Sequence, residues 1–185
     1  MQFGAVQAYL RKMRGTTRGS PPRVSTAEIL WSWLGAFIGI AVLGVLAEWQ
    51  FPGGDHLLLI GSFGASAVLL FGASRSPLAQ PRNVVGGHVL SALVGVLCWQ
   101  CLSFVPWLAA ALAVSTAIAL MHWSRTLHPP GGATALIAVI GSPEIHRLGF
   151  AYLWMPVGVG AVLLVVLAVL FNNLVPQRQI GRAHV

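Results

Sequence analysis

The stretch NVVGGHVLSALVGVLCWQCLSFVPWLAAALAVSTAIALMHWS, residues 83–124, contains no aspartate, glutamate, lysine or arginine. A helix needs about 20 apolar residues to cross a bilayer. This run is long enough to cross twice, and Val105-Pro106 near its centre reads as the tight turn, because proline cannot continue a helix from within. The stretch is therefore a helical hairpin in a membrane. Working outward, residues 29–47 and 150–171 are also free of charge and each makes a further span. Two shorter apolar pieces, 57–74 and 126–141, are rich in glycine and other small residues.

Composition agrees. Hydrophobic residues make up 56% of the chain and charged residues 8%, against about 25% charged in a soluble domain. Four acids and eleven bases cannot cover a water-facing surface. The length suits one domain, an all-α membrane protein, with no room for a soluble catalytic domain beside it.

The net charge of +7 does not indicate nucleic-acid binding. Of the eleven bases, Arg11, Lys12, Arg14, Arg18 and Arg23 lie in residues 1–27 with Gly15, Gly19, Pro21 and Pro22. That segment reads as a mobile basic tail on a cytoplasmic, anionic lipid surface. The first span begins too late, and is followed by too many others, for a cleaved signal peptide. At the other end, residues 173–185 read as a tail. Its Ile180–Val185 matches one reading frame of a common sequencing adapter and is expected to be read-through.

The short pieces either cross the bilayer or enter and return. If both cross and the N-terminus is cytoplasmic, Arg75, Arg82, Arg125 and Arg178 fall inside and only Arg147 outside; re-entry would move Arg75 and Arg82 outside. The positive-inside rule favours six crossings. Trp31, Trp33 and Trp123 then mark one interface and Trp49, Trp99, Trp107 and Trp154 the other. The membrane expected is a bacterial inner membrane.

An internal resemblance organises the chain. Gly64-Ala-Ser-Ala, an apolar run and Ser76-Pro77 parallel Gly132-Ala-Thr-Ala, an apolar run and Ser142-Pro143. Each follows one long span and precedes another. The expected architecture is two repeats, 28–105 and 106–172, of three helical segments each. Three is odd, so the repeats are inverted, a plan that places a transport site at the repeat interface. Small residues common to membrane helices are the alternative explanation.

The short segments carry the candidate site. Pro129 and Pro130 suit a first helical turn; Gly131 and Gly132 leave backbone N–H groups accessible, and Thr134 adds a hydroxyl. In the first half Ser62 is the expected N-cap, followed by Phe63, Gly64 and Ser66. Two helix starts converging inside the membrane would offer donors and positive dipole ends to a small anion. His128 stands beside the second start. His88 and His122 are expected at similar depth near the inner side, with Arg82, Asn83 and Arg125 attracting or gating anions. Ionisable residues within a membrane point to function.

No Ser/His/Asp or Cys/His/Asn set and no intramembrane carboxylate pair is present for catalysis. Cys98 and Cys101 share a helix face and read as packing residues. Too few ligands converge for a metal, and no cofactor is implied. Gly35 and Gly39 form Gly-x-x-x-Gly, from which a homo-oligomer is expected.

The run Thr126-Leu-His-Pro-Pro-Gly-Gly-Ala-Thr-Ala135 resembles the signature of the HPP family of integral membrane proteins. Gly61-Ser-Phe-Gly-Ala-Ser-Ala67 and Ser76-Pro-Leu-Ala-Gln-Pro-Arg-Asn83, continuing to Gly86-Gly-His88, resemble that family's first half. The resemblance covers residues 28–172. It implies transport of a small inorganic anion such as nitrite, and four spans where the arginines suggest six. The competing function is a membrane sensor or assembly module without flux.

Overall fold

The computed structural model describes residues 2–13, 23–50, 59–176, 178, 180 and 181. Asp55, His56 and His184 lie outside them. The described chain is helical, without strands among the described residues. The segment read as a mobile tail contains a helix, α1 (Gln2–Met13), exposed along residues 6–13. The glycines and prolines that suggested mobility lie beyond it, at 15–22.

Helix α2 (Thr26–Gln50) crosses first, from what is here the near end. The chain then returns against it. Leu59 lies beside Gly44, and Phe71 beside Gly35 and Gly39, so α3 (Gly61–Ala67) and its π continuation (Val68–Gly72) run antiparallel to α2. Residues 72–76 finish opposite Val24, Ser25 and Glu28 across a cleft of about 470 Å³. A 3-10 turn, Pro77–Ala79, leads to α4 (Pro81–Leu102), whose first turn begins with proline.

Helix α5 (Pro106–Trp123) returns to the near end and stops in a defined way. The Arg125 N–H donates to the His122 carbonyl and the Thr126 N–H to the Met121 carbonyl. This is the paired C-terminal motif that normally takes glycine at its left-handed position; here Arg125 fills it, with φ +56°. The reversal sends residues 126–128 back among the helices to start α6 (Pro129–Ile140).

Helix α6 climbs beside α4 so closely that a Cβ on Gly95 would stand 2.5 Å from the Ala135 carbonyl oxygen and 2.7 Å from Ala138 Cβ. It ends level with Trp99, which stacks on His146 at 3.8 Å. Residues 143–172 return in pieces: α7 (Pro143–Leu148), a 3-10 turn, a π turn and α8 (Val159–Asn172). Asn172 Nδ2 donates to the Leu70 carbonyl at the near end. There Arg178, 3% exposed, donates to Glu28 and Ser32, both at 2.9 Å, and to the Phe71 carbonyl. Breaking that pair would leave a buried charge, which is costlier than never having it. Ile180 is buried beside it.

Among the described residues, four helices are long and apolar enough to cross a membrane: Thr26–Trp49, Pro81–Leu102, Pro106–Trp123 and Pro143–Asn172. The shorter two, Gly61–Gly72 and Pro129–Ile140, reach only about 18 Å at 1.5 Å per residue, against about 30 Å of hydrocarbon. Each nevertheless lies within a pass from one end to the other. Arg75 and the start of α2 share the near end, as six crossings require and re-entry of the first short piece does not. The arrangement predicts that cysteines at Ser25 and Ser76 react with an impermeant maleimide from one side of the membrane, and cysteines at Ser103 and Ser142 from the other. Labelling of Ser25 and Ser76 from opposite sides would refute it.

The two halves differ in detail. Helix α4 is unbroken, whereas its counterpart in a repeat scheme, 143–172, is divided. The Gly-x-x-x-Gly argument for oligomers also changes. A Cβ on Gly35 would fall 2.5 Å from Phe71 and 2.7 Å from Phe171, and one on Gly39 2.9 Å from Phe71. Both glycines admit aromatic rings of their own chain, so they give no support to a homo-oligomer.

Candidate functional site: a buried hydroxyl–imidazole cluster

Between the two short helices and α4, the apolar interior gives way to a string of polar side chains. Ser62 and Ser66 are four apart on α3 and so share a face. Thr134 occupies the facing side of α6, and His88 the second turn of α4. His128 precedes α6 in extended backbone, φ −138° and ψ 103°, because the residue before a proline is driven away from helical angles. That conformation turns its ring inward.

The contacts form a chain. His128 Nδ1 lies 2.8 Å from the Leu78 carbonyl oxygen and its Nε2 2.8 Å from Ser66 Oγ. Ser66 Oγ is 2.7 Å from His88 Nε2. His88 Nδ1 is 2.7 Å from Thr134 Oγ1, which reaches Ser62 Oγ at 2.9 Å. Ser62, Ser66, His88, His128 and Thr134 are all fully buried. Phe63 and His88 pack in a T shape, ring centroids 5.2 Å apart, and the two histidine rings lie 4.9 Å apart. Buried polar groups are costly unless paired, and these pair with one another.

Several candidate residues therefore meet. Pro130 is buried, and its carbonyl lies 3.5 Å from Thr134 Oγ1. Gly131 fits against α4, since a Cβ there would be 2.8 Å from Ser91 Oγ and 3.0 Å from the Gly87 carbonyl. Arg82 donates to the Ser124 carbonyl and Asn83 Nδ2 to the Leu127 carbonyl. These two pin the segment that carries His128. Others stand apart. Gly64 and Pro129 are exposed, Gly132 borders an outward apolar groove with Val114 and Ile118, and Arg125 is exposed.

Three expectations change. Ile60, not Ser62, is the N-cap of α3, and Ser62 turns inward to Thr134. The helix starts do not converge. The helices overlap antiparallel, with Ser62 against Thr134 and Ser66 against His128, which sets the starts apart by roughly 7 Å of helix rise. His88 and His122 lie at similar depth, but His122 does not join the site, for it is exposed on α5 while Met121 faces inward. Sequence reading also missed the Leu78 carbonyl and Tyr152, whose hydroxyl donates to the Thr134 carbonyl at 3.3 Å. A tyrosine inside an otherwise apolar run was the available signal for the latter; the former had none. Among the described residues, no group of three His, Cys, Asp or Glu is placed to hold a metal.

The geometry separates adjacent glycines. Gly132→Leu is expected to keep folded yield near the parental level, because only Val114 lies within 4 Å of its Cβ position. Gly131→Leu is expected to remove folded protein, for lack of space against α4. Size-exclusion profiles of the two variants check the contrast; equal behaviour would contradict it.

The model of the HPP transmembrane region matches residues 21–181, which includes both short helices and every member of the cluster. The chain belongs to the HPP family. It is 45% identical over 174 residues to one transmembrane protein of Dictyostelium discoideum, covering 92% of this chain and 55% of that protein. A second transmembrane protein of the same organism is 43% identical over 174 residues, with 92% and 61% covered. The HPP chain thus spans little more than half the length of these curated relatives. No solved structure matches.

Proposed function

We propose that this HPP protein carries a small inorganic anion, nitrite or one of similar size, across the membrane by way of the buried cluster. The single observation that supports the reading is a continuous string of hydroxyl and imidazole groups, free of fixed charge, inside an apolar helix bundle. Polar residues in such a place are costly and mark substrate or proton paths. Hydroxyl and N–H donors suit a weakly held anion; a fixed arginine would trap it, and conduction needs binding that is easily reversed.

The surroundings fit passage. Of the two short helices that supply the cluster, α3 loosens into a π turn, and the regular α6 follows an extended lead. Irregular backbone at membrane depth is tolerated where it lines a path. Arg75, Arg82, Arg125 and Arg178 lie at the near end and Arg147 at the other. We therefore assign the near end, with the N-terminus, to the cytoplasm. Exposed Arg82 and Arg125 raise the local anion concentration there.

The test is nitrite entry into liposomes containing the purified protein. Saturable entry above protein-free vesicles supports the reading. No added entry of nitrite, nitrate or formate would overturn it in favour of a sensor or assembly role.

A further inference from the structure

We infer that the outward groove between α5 and α6 seats one acyl chain of an anionic phospholipid from the near-end leaflet, with the lipid's phosphate on Arg125. The groove has a volume of about 500 Å³ and is walled by Val114, Ile118 and Met121 on one side and by Pro129, Gly132 and Leu136 on the other. All of its lining side chains are apolar. The α5 wall steps by four and then three residues, which is a single helix face. From Met121 or Pro129 at the near end, seven residues of each helix carry the groove about 10 Å inward, at 1.5 Å per residue. One leaflet supplies about half of the roughly 30 Å of hydrocarbon, so the groove fits within it.

Two residues here have no use in the buried cluster. Gly132 sits inside α6, where glycine is less favourable than alanine, yet a Cβ there would meet only Val114, at 3.8 Å. Gly131 is required by the closeness of α4; nothing among the described residues requires Gly132. What its missing side chain leaves open is the floor of the groove. Arg125 fills a left-handed position, φ +56°, that ordinarily takes glycine. A residue held against its backbone preference points to a use for its side chain. Arg125 is exposed, two residues before Leu127 of the groove wall. His122, also exposed, stands one turn beyond Ile118 on the same face of α5. Trp123 between them is 84% exposed and sets this level at the headgroups.

The other occupant of suitable chemistry is a second copy of the chain. A parallel copy would bring its own Arg82 and Arg125 to the same depth, and like charges repel. A phosphodiester brings the opposite charge to Arg125, and its acyl chain is slender and flexible enough for an apolar slot. Basic pockets between helices on the cytoplasmic side favour anionic headgroups for this reason. Seated there, the lipid lies against Pro129 and Gly132. It braces the start of α6 from outside, just after His128 and on the helix whose inner face carries Thr134. With the lipid in place, the attraction of anions to this end falls to Arg82, which is tied to the Ser124 carbonyl.

The experiment titrates the delipidated whole chain in mild detergent with phosphatidylglycerol or with phosphatidylcholine of the same acyl chains, and counts bound lipid by native mass spectrometry. The first phosphatidylglycerol is expected to bind about fivefold more tightly than the first phosphatidylcholine, the worth of one arginine beside a headgroup. Arg125→Gly, which suits the left-handed backbone, should abolish that preference and leave phosphatidylcholine binding unchanged. Gly132→Leu, which fills the groove, should lose the retained lipid of either kind. Ala133→Leu, on the same wall, gives the same readout should Gly132→Leu yield too little protein. An excess of inorganic phosphate should displace no lipid. Four results would overturn the inference: equal affinity for the two lipids in the parent, unchanged lipid binding in monodisperse groove-filled variants, displacement by inorganic phosphate, or a parental dimer that Gly132→Leu makes monomeric.

Discussion

Replacing His128 with alanine is expected to lower protein-dependent nitrite entry at least tenfold, with a smaller loss of folded yield. The ring makes two of the cluster's contacts, to Leu78 and to Ser66. Net hydrogen-bond contributions of about 0.5–1.5 kcal/mol each put the stability cost at about 1–3 kcal/mol, while the loss of entry follows from removing an imidazole from the proposed path. The close approach of α4 and α6 at Gly95, Ala135 and Ala138 does not involve the ring. Initial uptake rates normalised to monodisperse protein check the expectation. A well-folded His128→Ala protein with the parental rate would place the path elsewhere.

The largest expected effect on folding comes from Gly95→Leu. Even the first added carbon would meet the Ala135 carbonyl oxygen at 2.5 Å and Ala135 Cα at 3.0 Å, and backbone cannot step aside as a flexible side chain can. Overpacking of this kind costs about 1–3 kcal/mol or more. Here it would also part α4 from α6, which carry His88 and Thr134. The expected result is loss of a monodisperse peak in mild detergent, with Gly95→Ala intermediate in thermal stability. Parental stability for Gly95→Ala would mean that the two helices are not in contact as described.

Much of this was legible in the sequence for simple reasons. Charge-free runs are required by the bilayer, so the spans at 29–47, 83–124 and 150–171 could be read from the absence of four residue types. The arginines at 75, 82 and 125 marked one end of the bundle and Arg147 the other. Short, glycine-rich segments announced their irregularity through His128-Pro129-Pro130 and Ser62 to Ser66. What could not be read was which way each side chain turns. His88 and His122 look alike along the chain, yet one is central and the other exposed, because the helix phase relative to neighbours is set by packing. Gly131 and Gly132 divide in the same way. The overlap of α3 and α6 was hidden because the depth of a short helix depends on its leading segment, here 126–128, whose path is fixed by the Arg125 reversal and by Asn83.

The central claim is that an anion is held by the buried cluster and not by the exposed cations. Nitrogen-15 magnetic resonance of histidine-labelled protein in bilayers tests it directly, with single His→Gln variants assigning the signals. Nitrite, added in steps at constant ionic strength with perchlorate as the balancing salt, is predicted to shift the His88 and His128 ring nitrogens saturably and to leave His122 and His146 unmoved. Saturable shifts confined to His122 or His146, or none at any histidine, would contradict the account.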